Sequence, residues 1–277
     1  ILADGNLSPL GATYSRFIFA APWIVLFCLI FLLLTNVSIP DLESQFLLFA
    51  VGGGLAQILA TVCVILVFKS RNFAVGITLK KTEVILTALV GLILIGEGVS
   101  TISMFLICLG GAGVFFLSKK VSSVDRSNFS ILNKSAVYGL LSGLLFAISA
   151  VCYRSATLSV VSDLVYLRAG FTLLIVILSQ SFVMTIWLAL FEPGQIKLVW
   201  LERKKGFWVG VTSLGGSFFW FTAFTLQTAA YVKAVGQIEL IFSLLITTLF
   251  FKERILNREI LGMLLIGISA LGLILVV

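Results

Sequence analysis

The chain has 277 residues, of which 60% are hydrophobic and 11% are charged, and its formal net charge is +7. Soluble domains carry about 25% charged residues, so these charges are too few to cover a water-facing surface. The composition excludes a soluble enzyme and favours a polytopic membrane protein. Its excess of Lys and Arg then belongs to cytoplasmic loops rather than to a nucleic-acid-binding surface.

Nine apolar runs follow one another along the chain, each long enough, or nearly so, to cross a bilayer as a helix. They occupy residues 9–34, 46–68, 74–97, 101–117, 135–153, 164–190, 207–226, 229–251 and 260–276. The longest polar stretch, residues 119–134, separates the fourth run from the fifth and is typical of a linker. We therefore predict an all-α membrane protein with nine transmembrane helices.

The third run, residues 74–97, carries ionisable side chains inside an apolar segment of spanning length. At about 1.5 Å per helical residue, Glu83 lies roughly 15 Å from Phe73, near the middle of a hydrocarbon core about 30 Å thick. An ionisable group at that depth costs about 2.5–3.5 kcal/mol, and such groups usually mark functional sites. This run is therefore the first place to look for a binding site.

An internal repeat relates the two halves of the chain. A shift of 156 residues aligns 51–119 with 207–275 without a gap, and it pairs Glu83 with Glu239. The same shift pairs Glu97 with Glu253. Two matched glutamates in one register are less expected by chance than matches among apolar residues.

The count of apolar runs differs between the halves, because the second half has five and the first has four. We predict a first repeat over residues 1–118, a linker over 119–134 and a second repeat over 135–277, with the first helix of the first repeat expected before Ile1. Since five spans are an odd number, the halves enter the membrane in opposite directions. Inverted repeats of this kind bind substrate near the bilayer midplane, at the repeat interface.

Helical spacing places Lys80, Glu83 and Thr87 on one face of a continuous helix. The second copy places Glu239 and Ser243 on the matching face. The predicted substrate-binding residues are Lys80, Lys81, Glu83, Thr87, Lys233, Gln237, Glu239, Ser243, Gln57 and Trp220. Ammonium groups there would hold a carboxylate or phosphate, and carboxylates would hold an amine or a proton. The alternative is that Lys80 and Glu83 form an intrahelical pair that only tolerates burial.

Further polar and aromatic side chains lie inside other runs. A shift of 152 residues pairs Tyr14 and Arg16 with Tyr166 and Arg168, which suggests a gate or rim; an arginine near a helix end can also simply reach the membrane surface. Polar residues that could line the same cavity are Gln57, Thr61, Ser213 and Ser217. The aromatic block 218–221 favours packing over a ring-binding wall.

Catalytic and metal-binding patterns are missing from the sequence. The chain has no His, and its four Cys lie in apolar runs without CxxC spacing. Gly52-Gly-Gly54 lacks the Gly-Lys-Ser/Thr of a phosphate-binding loop. We therefore expect no enzyme activity, no cofactor and no metal.

The layout resembles the drug/metabolite transporter superfamily, in particular its ten-helix EamA-type members. The resemblance covers essentially the whole chain and rests on Leu7-Ser-Pro9 followed by Arg16, on Gly96-Glu97 and on Lys252-Glu253. It implies ten helices around a central cavity, alternating access, and small metabolites such as amino acids as substrates. Two departures are the absent first helix and the acidic loop 39–43, where the family usually has a basic one.

We expect a transporter of a small zwitterionic or anionic metabolite in the cell membrane, specifically the bacterial inner membrane. Its partners would be the solute and the lipid bilayer, without nucleic acid, and Glu83 or Glu239 could carry a coupling proton. Facilitated diffusion fits equally well. Alternatives are a nucleotide-sugar or organic-phosphate translocator of the same superfamily, a membrane-embedded lipid-phosphate enzyme, and a scaffold or receptor.

Overall fold

The computed structural model describes residues 7–35, 37–70, 73–118, 134–251 and 257–276. The described part is almost entirely helical, with two short strands. In chain order the elements are α1 Pro9–Thr35, β1 Asp41–Leu42, α2 Phe46–Phe68, α3 Phe73–Lys80, α4 Glu83–Ile95, α5 Thr101–Ser118, α6 Lys134–Leu158, β2 Val160–Val161, α7 Val165–Phe191, α8 Gln195–Leu201, α9 Arg203–Leu226, α10 Ala229–Gly236, α11 Ile238–Phe251 and α12 Asn257–Val276. Residues 119–133 of the predicted linker, and Lys252-Glu253, lie outside the described residues.

Seven helical stretches of the described chain are long and apolar enough to cross a membrane. They are α1, α2, α6, α7, α9, α12 and the stretch Ala229–Ile246 across α10 and α11. A shorter apolar helix covers Thr101–Leu117. The prediction of an all-α membrane protein is confirmed, whereas the count of nine spans stays a prediction.

The described chain forms two compact units, and each draws on both halves of the sequence. Unit 1 contains residues 1–58 and 152–227, and unit 2 contains residues 59–151 and 228–277. Helices from the two predicted repeats therefore pack together within each unit. The repeat boundaries themselves stay a prediction.

In unit 1, helices α1, α7 and α9 pack against one another. Glycines make the contact between α1 and α9 close, because a Cβ at Gly206 would meet the Phe19 ring at 2.3 Å and one at Gly210 would meet the Phe19 backbone at 2.7 Å. The start of α1 is tied to the segment after α7, where the backbone N–H of Ser8 donates to Gln195 Oε1 at 2.8 Å. Asp41 and Leu42 pair antiparallel with β2.

In unit 2, α5 and α12 pack along much of their length. Small residues permit this approach: a Cβ at Gly110 would meet the Ser269 hydroxyl at 2.6 Å, and one at Gly113 would meet the Gly262 carbonyl at 2.7 Å. Ser269 also donates a hydrogen bond to the Leu106 carbonyl at 2.7 Å. Small residues of this kind are the usual contacts between membrane helices.

The predicted continuous helix over 74–97 is wrong, because the chain breaks between α3 and α4. Lys81 N–H donates to Thr78 O at 3.1 Å and Thr82 N–H donates to Leu79 O at 3.0 Å, which tightens the last turn of α3. The Thr82 hydroxyl also donates to Leu79 O at 2.7 Å. The Leu79 carbonyl at the break thus accepts from both the backbone and the side chain of Thr82.

A second break, at Gln237, separates α10 from α11. Gln237 N–H donates to Ala234 O at 3.1 Å, and Leu240 N–H donates to Gln237 O at 3.0 Å. The Gln237 side chain donates through Nε2 to the Lys233 carbonyl at 3.2 Å. Both breaks therefore use a polar side chain at or next to the break to satisfy a backbone carbonyl.

The C-terminal end of α4 is formed by Gly96, whose φ of 70° is left-handed. The next N–H, that of Glu97, donates back to the Gly91 carbonyl at 3.1 Å. Glycine favours this conformation because it has no Cβ. The Gly96-Glu97 pair noted in the sequence thus ends a helix, while its counterpart Glu253 lies outside the described residues.

A stripe of glycines on α6 lies against the first break. A Cβ at Gly139 would meet the Gly76 carbonyl oxygen at 2.1 Å, and a Cβ at Gly143 would meet the Lys80 carbonyl oxygen at 3.0 Å. The spacing of four residues places both glycines on one face of α6. Backbone contact between α6 and the α3–α4 segment depends on this face having no side chains.

Gly139→Ala should therefore destabilise the protein by about 1–3 kcal/mol, the usual cost of overpacking. The cause is a contact with backbone atoms of α3, which cannot rotate away as a side chain can. The measurement is equilibrium unfolding of the purified protein in mixed detergent micelles.

Gly215→Ala in α9 is the matched control, because a Cβ there would meet nothing within 4 Å. Alanine is favoured over glycine in a helix by roughly 0.5–1 kcal/mol, so this variant should be at least as stable as the wild type. Equal stability of the two alanine variants would contradict the close contact at Gly139.

Candidate functional site

An ion pair joins the two broken stretches within unit 2. Lys233 Nζ on α10 lies 2.6 Å from Glu83 Oε1 at the start of α4. Lys80 Nζ lies 3.9 Å from Glu83 Oε2. The exposed fractions of the Glu83 and Lys233 side chains are 13% and 17%. We call Lys80, Glu83, Lys233 and the neighbouring Phe146 the charged cluster.

Apolar packing between α4 and α10 brings these charges together. Val84 and Ala88 on α4 belong to one buried core with Ala230 and Ala234 on α10. Glu83 directly precedes Val84, and Lys233 directly precedes Ala234. Packing of the small alanines therefore sets the distance between carboxylate and ammonium.

The helix breaks give these charges favourable positions on the half-helices. Lys80 and Lys233 lie in the last turns of α3 and α10, and Glu83 and Glu239 lie in the first turns of α4 and α11. A helix carries partial negative charge at its C-terminus and partial positive charge at its N-terminus. Each lysine and each glutamate therefore lies at the helix end that stabilises it.

Phe146 completes the charged cluster from α6. The Lys80 ammonium lies 4.7 Å from the centre of its ring, and the Lys233 ammonium lies 6.0 Å from it. The negative face of an aromatic ring attracts cations at such distances. With two lysines and one glutamate, the cluster has one positive charge in excess, which an anionic group could neutralise.

The other predicted residues of unit 2 take different positions. Thr87 is fully buried, and its hydroxyl donates to the Glu83 backbone carbonyl at 2.7 Å. Its side chain is therefore less accessible than those of Lys80 and Glu83. Lys81 lies in the turn and interacts electrostatically with Glu83 and Lys80.

Gln237, Glu239 and Ser243 of the second predicted repeat do not reproduce the contacts that Glu83 makes in the first repeat. Gln237 is buried at its break, and its Oε1 atom has no hydrogen-bond partner among the described residues. Glu239 is exposed and interacts electrostatically with Lys80. Ser243 is exposed one turn further along α11. Among the described residues of the second half, Lys233 is the one that forms an ion pair with Glu83.

A separate polar cavity of about 20 Å³ lies in unit 1. Its polar lining is Arg16, Gln57, Gln180, Ser213 and Ser217, and we call it the arginine pocket. Arg16 Nε donates to the Ser213 hydroxyl, and Nη2 donates to the Ser217 hydroxyl at 3.3 Å. Gln57 Oε1 accepts hydrogen bonds from Gln180 Nε2 at 2.7 Å and from the Tyr153 hydroxyl at 3.0 Å.

The predicted rim residues do not form a common group. Arg168 Nε donates to the Thr157 carbonyl at 2.9 Å, near the C-terminal end of α6, rather than lining the arginine pocket. Tyr14 is buried, and its hydroxyl lies 3.0 Å from that of Thr185. Tyr166 is exposed, with its ring stacked 6.4 Å from Phe218. Of the four, Arg16 lines the arginine pocket.

The aromatic block contributes Phe221 to the pocket rather than Trp220. Phe221 is buried and lines the cavity, whereas the Trp220 ring lies 5.7 Å from Phe224 along α9. The difference of one residue matters because neighbours on a helix point about 100° apart. Packing is the role that this geometry gives to Trp220.

Three contributors were absent from the sequence-based prediction. The sequence could have indicated Gln180, because a side-chain amide within an apolar run usually has a hydrogen-bond partner. Tyr153 sits at the end of a run and has a weaker signal of the same kind. Phe146 has none, because it is one of 24 phenylalanines in the chain.

Neither a family model nor a curated protein matches the chain. A crystal structure of a protein is similar in fold, with a TM-score of 0.70. The match covers 100% of this chain and 93% of the other, at 16% sequence identity. At that identity the likeness concerns the fold alone.

The shorter distance predicts that the ion pair of Glu83 with Lys233 stabilises the protein more than the pair with Lys80. Removing one partner of a buried pair costs about 3–5 kcal/mol, so Lys233→Met should destabilise the protein more than Lys80→Met. Double-mutant cycles with Glu83→Gln should give a larger coupling energy for Lys233 than for Lys80. The measurement is equilibrium unfolding in mixed micelles for each single and double variant.

The pair of Lys205 and Glu202 supplies the reference cycle, because its charged atoms are 2.9 Å apart while the side chains are 50% and 38% exposed. Exposed pairs contribute about 1 kcal/mol or less. A coupling energy for Lys233 and Glu83 no larger than that of the reference pair would refute the ranking.

Proposed function

We propose that the protein is a membrane transporter of a small polar metabolite, built like the EamA-type members of the drug/metabolite transporter superfamily. The observation that carries the proposal is the ion pair of Glu83 and Lys233, which joins two helix breaks within apolar stretches. Ionisable residues inside membrane segments usually mark a solute pathway. Transporters also commonly bind their substrates at discontinuous helices.

The bounds of the helices support the five-plus-five repeat. Helices α3 and α10 begin at Phe73 and Ala229 and end at Lys80 and Gly236, both 156 residues apart. Helices α5 and α12 begin at residues 101 and 257, again 156 apart. The nine spans of the proposal count α3 with α4, and α10 with α11, as one broken span each.

The bounds of α1 and α7 also differ by 156 residues, rather than by the 152 used in the sequence alignment of Tyr14 and Arg16. The two helices run over residues 9–35 and 165–191, which differ by 156 at both ends. At that offset Arg16 corresponds to Thr172 rather than to Arg168. The different contacts of Arg16 and Arg168 agree with this pairing.

The charge of the cluster narrows the class of solute. Two ammonium groups and one carboxylate leave a positive excess in a partly buried setting, which favours an anionic or zwitterionic solute over a lipophilic cation. An amino acid would place its carboxylate near the lysines and its amine near a glutamate. An organic phosphate or a nucleotide sugar would use the lysines alone and is the second candidate.

Transport without chemical conversion fits this site better than catalysis on a lipid phosphate. Such an enzyme would place carboxylates or arginines at the membrane interface, whereas the charged cluster lies at helix breaks inside apolar stretches. The proposed location is the cell membrane. A coupling proton on Glu83 or Glu239 and facilitated diffusion are both compatible with the proposal.

Glu83→Gln and Glu239→Gln should each lower transport while leaving membrane insertion intact. The glutamine keeps the shape of the side chain but removes its charge, and we expect at least about a tenfold loss, equivalent to about 1.4 kcal/mol. The assay is counterflow in proteoliposomes loaded in turn with amino acids, organic phosphates and nucleotide sugars. Flux is normalised to the amount of folded protein recovered.

Glu202→Gln is the control, because Glu202 lies in an exposed pair outside the charged cluster, and its flux should match the wild type. Normal flux in both Glu83→Gln and Glu239→Gln would overturn the central site. Conversion of a lipid phosphate by the purified protein would instead support the enzyme alternative.

A further inference from the structure

Arg16 is a cation inside a membrane-spanning helix with only neutral hydrogen-bond partners among the described residues. Its guanidinium donates to the hydroxyls of Ser213 and Ser217 and lies 5.7 Å from the Phe17 ring. Lys80, by contrast, has Glu83 within 4.0 Å. Arg16 is partly buried, and even a partly buried charge is costly without a counterion. The described residues that line the arginine pocket include no carboxylate to supply one.

Arg16, Ser213 and Ser217 contribute hydrogen-bond donors to the lining of the pocket, and the amides of Gln57 and Gln180 contribute its side-chain acceptors. Each serine hydroxyl accepts a hydrogen bond from Arg16 through its oxygen, so its own proton remains free to donate. The guanidinium has five N–H groups, of which two are used in these bonds. The acceptor Gln57 Oε1 is already bonded to Gln180 and Tyr153.

The size of the cavity limits its occupant. A volume of about 20 Å³ is close to the 10–15 Å³ that one water molecule requires. A space of this size accepts one water molecule or one monatomic ion. An anion fits the pocket better than a water molecule does, because a water molecule would leave the charge of the Arg16 guanidinium uncompensated.

We propose that the arginine pocket binds a monovalent anion of halide size, held by Arg16 and by the hydroxyls of Ser213 and Ser217. Leu173, Val176 and Phe221 form apolar walls of the same cavity. These walls lower the local dielectric and strengthen the attraction between anion and guanidinium. The anion site does not depend on the proposed transport function, since it rests on unit 1 alone.

The test compares thermal unfolding of the full chain in chloride and in gluconate at equal ionic strength. Chloride should raise the melting temperature saturably by about 2–4 °C relative to gluconate, because a ligand of the native state stabilises it. A bromide-soaked crystal should show anomalous density beside Arg16. Identical melting curves in the two salts, or a pocket without bromide, would overturn the proposal.

Variants assign the effect to the pocket. The Ser213→Ala/Ser217→Ala double variant and Arg16→Gln should each lose the chloride shift. Thr212→Ala should keep it, because the exposed Thr212 hydroxyl on the same helix donates to the Trp208 carbonyl and does not line the pocket. A chloride shift that survives in both pocket variants would place the anion elsewhere and refute the site.

Thermal unfolding in acetate tests whether the pocket binds a free halide or the carboxylate group of a larger molecule. The cavity volume predicts that chloride and bromide stabilise the protein and that acetate does so weakly. A shift with acetate and none with chloride would overturn the assignment to a halide-sized ion. Loss of transport in Glu83→Gln leaves this outcome unaffected, since Glu83 belongs to unit 2.

Discussion

In a bilayer, a backbone carbonyl that loses its helical partner must accept a hydrogen bond from elsewhere in the protein. Two breaks in apolar stretches impose this requirement on the chain, at Lys81–Thr82 and at Gln237. The Gln237 side chain meets it at the Lys233 carbonyl, and the Thr82 hydroxyl adds a second hydrogen bond to the Leu79 carbonyl, which also accepts from the Thr82 N–H. Once the helices are broken, their ends stabilise lysines and glutamates that a continuous apolar helix would expel. The charged cluster is therefore a consequence of the broken backbone as much as of the residues themselves.

The two polar sites handle charge differently. In unit 2, Glu83 compensates one of the two lysine charges, and the α4–α10 core brings the charged groups together. In unit 1, Arg16 has only hydroxyl partners among the described residues, in a cavity with room for one small particle. The first arrangement suits exchange of a solute against an internal ion pair. The second suits a small ion that stays in place.

Sequence reasoning located the helices well, because long apolar runs have few alternatives in a membrane protein. It also singles out Glu83 from the cost of burying charge, and it includes Lys233 among ten candidate binding residues. It does not predict the break after Lys80, because a helical wheel assumes a continuous helix. Residues 74–97 alone also do not reveal the glycine face of α6, more than 50 residues away, against which the broken segment packs. Phe146 was missed for a similar reason: only the fold brings that ring over the two lysines.

The positions of the two lysines relative to their breaks differ, with Lys80 the last residue of α3 and Lys233 three residues before the end of α10. Both still lie in the last helical turn, where the field of the unpaired carbonyls extends over several residues. A basic residue could therefore move along that turn during evolution without losing its stabilisation. Equivalent charges in the two stretches need not occupy equivalent alignment columns. Such residues should therefore be compared by their distance from the helix break rather than by their aligned positions.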